Sequence, residues 1–124
     1  MKVLAIDFDG TITKKSKYPV MGDLRPEIPK FLNDMRNRGY VIVLNTCRKG
    51  QYLKEAVQLL KESNVYDMFD WNYLNNDSKR GDSGKIVASF YLDDRACFID
   101  LDDAKVWPYL PDMIDRQVKL LEGV

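Results

Sequence analysis

Two carboxylates two residues apart, Asp7 and Asp9, close an apolar run in Val3-Leu4-Ala5-Ile6-Asp7-Phe8-Asp9-Gly10-Thr11. On an extended backbone residues i and i+2 share a side, so both acids could face one point. Unit charges about 4 Å apart repel by roughly 4 kcal/mol at an effective dielectric near 20. A divalent cation would offset that cost, and carboxylate oxygens of this kind suit magnesium. Gly10 allows a sharp turn after the run. The same residues also fit a plain turn, with Asp9-Gly10 at its corner and Asp7 as a helix cap.

Two further apolar runs end in reactive polar groups. Tyr40 to Leu44 leads to Thr46, and Phe90-Tyr91-Leu92 leads to the paired acids Asp93 and Asp94. Short continuous apolar runs read as strands buried on both faces. Helical patterns lie between them. Pro26 and Glu27 suit a first helical turn, Ile28, Phe31, Leu32 and Met35 form one apolar face, and Gly39 is a stop. Leu53, Ala56, Val57 and Leu60 repeat that spacing in a second helix that ends near Asn64.

The remaining segments are weaker. Thr13 to Asp23, with Lys14, Lys15 and Lys17, reads as a loop or small hairpin over the end of the first strand. Its lysines form a solvated face or attract an anionic substrate. Tyr66 to Tyr73, carrying Phe69 and Trp71, is a candidate third strand. Asn75 to Gly84 is a polar loop, and Asp100 to Asp103 an acidic surface turn. Val106-Trp107 suggests a short edge strand, and Asp112 caps a last helix with Ile114, Val118 and Leu121 inward. Strands alternating with helices predict an α/β fold, a parallel sheet covered by helices, as one domain over residues 1–124. Ligands would then sit at the carboxyl ends of the strands, where Asp7, Asp9, Thr46, Asp93 and Asp94 all fall.

Composition removes several chemistries. There is no histidine, which excludes Ser-His-Asp triads, histidine-based phosphatases and His-ligated zinc. Neither Cys47 nor Cys97 is followed by an arginine six positions on, as a thiolate phosphatase loop would require. Gly84-Lys85 resembles the end of a P-loop, but Lys79 and Ile86 occupy positions that need Gly and Ser/Thr. A formal net charge of zero gives no global attraction to nucleic acid or anionic membrane. No run approaches a membrane span, and no secretion signal accompanies the two cysteines, so a reducing cytoplasmic setting is expected. If the Asp7 strand lies between those ending at Thr46 and Asp93, the cysteines sit about 10 Å apart and stay free thiols.

On these residues the chain resembles the haloacid dehalogenase (HAD) superfamily of phosphohydrolases. Asp7-Phe8-Asp9-Gly10-Thr11 matches its first motif, D-x-D-G-T. Tyr40 to Thr46 matches the second, a lysine the third, and Phe90 to Asp94 the fourth, in the family's order. The resemblance implies a three-layer α/β/α Rossmann-like core and a magnesium-dependent phosphatase. Asp7 would be the nucleophile that becomes an aspartyl-phosphate, and Asp9 would protonate the leaving oxygen and then activate water. Thr46 and a lysine, Lys85 in preference to Lys79, would hold the phosphoryl oxygens beside Gly10 and Thr11. Magnesium would be bound by Asp7, the Asp9 carbonyl, and Asp93 and/or Asp94. Arg48 would reach a second anionic group of the substrate or pair with an acidic neighbour.

The gaps between motifs leave no room for a separate cap domain. The site would be open to a small or macromolecular phosphoester, unless a neighbouring subunit or the Asn75 to Gly84 loop covers it. Two other readings compete. A phospho-accepting receiver has a similar size, but its acceptor aspartate lies on the third strand, and the order Thr46, Lys85, Asp93 does not suit it. A non-catalytic binding protein on a HAD-like scaffold would have little use for an intact motif set.

Overall fold

In the computed structural model, which describes residues 2–72, 87–95 and 99–122, three parallel strands form an open sheet in the order β2-β1-β3. The central strand β1 (Lys2–Ile6) lies between β2 (Tyr40–Leu44) and β3 (Phe90–Leu92). The register sets Ile6 beside both Leu44 and Leu92. Pairing runs one step further, with Asp7 N–H donating to the Leu92 carbonyl and Asn45 N–H to the Ile6 carbonyl, each at 2.9 Å. The chain therefore leaves all three strands on one rim of the sheet, with Asp7 beside Asp93.

Helices α1 (Ile28–Asn37), α2 (Gly50–Glu62) and α3 (Leu110–Glu122) pack with one face of this sheet. Leu4, Ile6, Ile42 and Leu44 point into that core, where they meet Ile28, Phe31, Leu32, Met35, Ala56, Leu60, Ile114 and Val118. Each of the larger apolar side chains contributes about 1.5–3 kcal/mol on burial. The alternate residues Val3, Ala5 and Val43 are buried on the opposite face beside Val41 and Ala88. Burial on both faces explains why the strands read as unbroken apolar runs.

Several expected elements differ. The first regular helix starts at Ile28, entered through a turn over Pro26 and Glu27 in which Ile28 N–H donates to the Arg25 carbonyl at 3.1 Å. Tyr66–Met68 is a 3-10 turn, and only Phe69 pairs with Ile42 as an isolated parallel bridge. Here the aromatics pack on one another, Tyr66 stacked on Trp71 with centroids 4.7 Å apart, while Tyr73 lies outside the described residues. Val106-Trp107 is not an edge strand but part of the 3-10 segment Ala104–Tyr109, started by Asp103 capping Lys105 N–H at 3.0 Å. Leu121 is 70% exposed instead of inward, because the last turn of α3 runs past the core that Ile114 and Val118 fill. Thr13 to Asp23 does form a small hairpin base, with Thr13 bridged antiparallel to Leu24. Among the described residues no helix is long and apolar enough to cross a membrane.

Candidate active site

The turn after β1 shapes the rim. Asp7 keeps an extended conformation, and Phe8–Ile12 makes one irregular turn closed by Thr13 N–H donating to the Phe8 carbonyl at 3.1 Å. Fully buried Phe8 anchors that turn in the core. Gly10 sits at φ +82°, a left-handed conformation that other residues adopt only with strain. A Cβ there would collide with the Asp94 carboxylate. Glycine thus permits both the turn and the close approach of the β3 terminus to the β1 terminus.

That approach assembles three acids. One carboxylate oxygen each from Asp7, Asp93 and Asp94 lies within 4.8 Å of the others. Burial and then the charge of Asp93 push the Asp7 carboxyl up to about 7, with smaller contributions from Asp94 and Asp9 against a backbone hydrogen bond at Phe8. Asp94 is also raised, by burial and then by its hydrogen bond with Asp93 and that residue's charge. Among the described residues, none of the three forms an ion pair with a lysine or arginine. A half-buried trio of hard oxygen donors, with no ion pair to a lysine or arginine among the described residues, fits a divalent ion such as magnesium. The trio opens into a cleft of about 390 Å³, the size of a small-ligand site, whose rim includes Lys15, Tyr18 and Arg95.

Asp9 stands apart from the trio. Its carboxylate turns to Arg48, whose Nε and Nη2 donate to Oδ2 and Oδ1 at 2.8 and 2.7 Å. The Asp9 side chain is thereby held apart from the trio, while the magnesium ligand expected of this residue is its backbone carbonyl. The pairing also decides between the two roles expected for Arg48. The guanidinium is fully buried and committed to its acidic neighbour, and Arg48 does not line the cleft.

The other candidate residues divide. Thr46 is half-buried on the cleft wall, where its Oγ1 accepts from Arg48 N–H at 3.1 Å. Gly10 reaches the cleft, but its N–H donates inward to Thr13 Oγ1 at 3.3 Å. Thr11 is fully buried, and its hydroxyl has no hydrogen-bond partner among the described residues. Gly10 and Thr11 therefore shape the turn and do not present donors to a substrate. Lys85 and Lys79 lie outside the described residues, as does Cys97; Cys47 is an exposed free thiol.

Two contributors carry no mark in the sequence. Arg25 is buried and donates to the carbonyls of Gly10, Thr11 and Leu101 at 2.7, 2.9 and 2.7 Å, and it pairs with Asp102 at 3.0 Å. It clamps the turn that carries Asp9, and no local pattern signals it. Tyr18 enters the cleft rim because the hairpin folds back over Arg48, its ring 5.1 Å from the guanidinium carbon.

No family model and no curated protein matches the chain. A solved structure described as a conserved protein from Bacteroides thetaiotaomicron is similar over 90% of each chain, with a TM-score of 0.67 and 23% sequence identity. The two proteins share an α/β fold. That likeness speaks to architecture alone and assigns no activity to either chain.

Proposed function

We propose that the protein is a magnesium-dependent phosphomonoesterase built on a HAD-like, Rossmann-type core. The observation that carries this reading is the convergence of Asp7, Asp93 and Asp94, from two adjacent strands, into one cation-compatible cluster at the floor of a cleft. Asp7, Asp93 and Asp94 would hold the ion. Bound magnesium would neutralise phosphoryl oxygens and the crowded carboxylates.

An Asp7 oxygen attacks phosphorus in line with the ester oxygen. The P–O bond to that oxygen breaks and an aspartyl-phosphate forms. Asp9 gives a proton to the departing oxygen and later takes one from the water that releases phosphate. Each Asp9 oxygen bonded to Arg48 keeps a second lone-pair site for this work. The Thr46 hydroxyl donates to a phosphoryl oxygen, a type of contact that matters most as charge develops there.

A panel of phosphomonoesters with magnesium, run beside Asp7→Asn, tests the proposal. Turnover should be repeated, should stop on chelation by EDTA, and should fall by at least about 10³-fold in the variant. Equal activity in both proteins would exclude Asp7 as nucleophile, and a single labelling event without turnover would favour a receiver.

A further inference from the structure

Arg48 is among the largest fully buried side chains of the molecule, yet it lies directly behind the rim of the cleft. All three of its guanidinium nitrogens are engaged. Nε and Nη2 hold the two oxygens of Asp9, Nη2 also reaches the Pro19 carbonyl at 3.2 Å, and Nη1 the Tyr52 carbonyl at 3.5 Å. The rings of Phe8 and Tyr18 lie 5.5 and 5.1 Å from its central carbon. Four parts of the chain thus meet at one planar group: the turn after β1, the hairpin at Tyr18 and Pro19, the segment leaving β2 through Thr46 and Arg48, and α2 at Tyr52.

A planar fork holding both oxygens of a carboxylate fixes its rotation as well as its position, which a lysine ammonium cannot do. Asp9 sits next but one to Asp7. Free to rotate, it could turn toward the neighbouring acids or away from the cleft. We propose that Arg48 is a positioning residue: it orients the Asp9 carboxyl so that the proton carried at the oxygen site left free by the fork faces the leaving oxygen, and it keeps Asp9 out of the Asp7, Asp93, Asp94 trio. Arg48 does not touch substrate. The inference rests on the proposed phosphomonoesterase reading and extends it to a residue just beyond the second strand.

If Arg48 acts through Asp9, its loss matters in proportion to how much the leaving oxygen needs a proton. A phenolate such as p-nitrophenolate departs nearly unaided, whereas an alkoxide does not. The experiment compares wild type, Asp7→Asn, Arg48→Lys, Asp9→Asn and the Asp9→Asn/Arg48→Lys double variant. Each is assayed with magnesium on p-nitrophenyl phosphate and β-glycerophosphate. Arg48→Lys should lower kcat on β-glycerophosphate about 100-fold but on p-nitrophenyl phosphate less than about 10-fold, with KM changed less than about twofold on either. In the Asp9→Asn background the same substitution should add no further leaving-group discrimination.

Equal losses on the two substrates, a loss confined to KM, or full additivity with Asp9→Asn overturns the positioning role while leaving the phosphatase reading intact. Wild type without turnover, or Asp7→Asn as active as wild type, overturns both. Should Arg48→Lys not fold, Asp9→Glu displaces the carboxylate by one methylene while keeping its charge and its fork. It should show the same selective loss, and equal losses there overturn the proposal.

Discussion

Two groups of acids lie at opposite ends of the strands and behave oppositely. Near the amino end of β2, Asp115 of α3 accepts from Arg38 Nη1 at 2.6 Å and from the Tyr40 hydroxyl at 2.8 Å. Burial, the largest single influence, would raise its pKa, but those two hydrogen bonds together with the charges of Arg38 and Lys2 outweigh it, and the carboxyl titrates below the usual range. Arg38 also holds Asp112 at 2.9 Å, so the cluster staples α1, β2 and α3 together. At the carboxyl end, Asp7, Asp93 and Asp94 share a similar degree of burial and have no such cationic partner among the described residues, and Asp7 and Asp94 titrate high. An acidic composition does not separate the two groups, since both have it. The partner does. Acids completed within the chain serve the fold, and acids left crowded are where a ligand is called for.

The largest expected effect concerns pH. The Asp7 carboxyl moves from an ordinary 3.8 to about 7 on folding, so the folded chain binds that proton more tightly than the unfolded chain. Stability from this group is full below about pH 4 and lost as pH rises through about 7, by as much as about 4 kcal/mol. In magnesium-free buffer Asp7→Asn should therefore unfold at a higher temperature than wild type at pH 8, with the gap closing toward pH 4. A gap that does not change with pH would break the contrast between the two clusters.

Arg38→Met removes the cation from the completed cluster. Urea unfolding at pH 7 should show a loss of about 1–2 kcal/mol, moderate because the Arg38 side chain is one-third exposed. The lowered Asp115 carboxyl stabilises the fold above the usual carboxylate range and loses that contribution as pH falls through its own value. The penalty should accordingly shrink near pH 3, the reverse of the Asp7 trend.

Bound at the proposed site, magnesium would supply from outside what Arg38 supplies from within. For a site of millimolar affinity, 10 mM ion stabilises by about 1.4 kcal/mol, a rise of several degrees in the thermal midpoint. The rise should be larger at pH 8 than at pH 5, where protons compete for Asp7, and absent in Asp93→Asn. An equal rise in that variant would place the ion elsewhere.

Much of the architecture was legible because it is written in short-range patterns. The i, i+3, i+4, i+7 face of α1 and the unbroken run of β1 each carry their burial in neighbouring residues, as the buried Ile28, Phe31, Leu32 and Met35 show. Tyr66 to Tyr73 misled for the same reason. Aromatic residues favour strands when cross-strand partners are present, but Tyr66 and Trp71 instead pair with each other across five residues, and Trp71 Nε1 donates to the Tyr66 carbonyl at 2.9 Å. Of the candidate site, the acids were legible, but which group holds the Asp9 side chain was not. D-x-D-G-T marks Asp7 and Asp9 alike, yet one joins the carboxylate cluster and the other an arginine 39 positions away.

Composition and local periodicity were enough to say which residue types could do chemistry, that they fall after apolar runs, and that helices separate those runs. Which acids meet is a tertiary outcome. Parallel register brings Asp93 beside Asp7, the missing Cβ of Gly10 admits Asp94, and the buried Arg48 draws Asp9 away. Those outcomes depend on contacts between residues far apart in the chain, which no local pattern encodes.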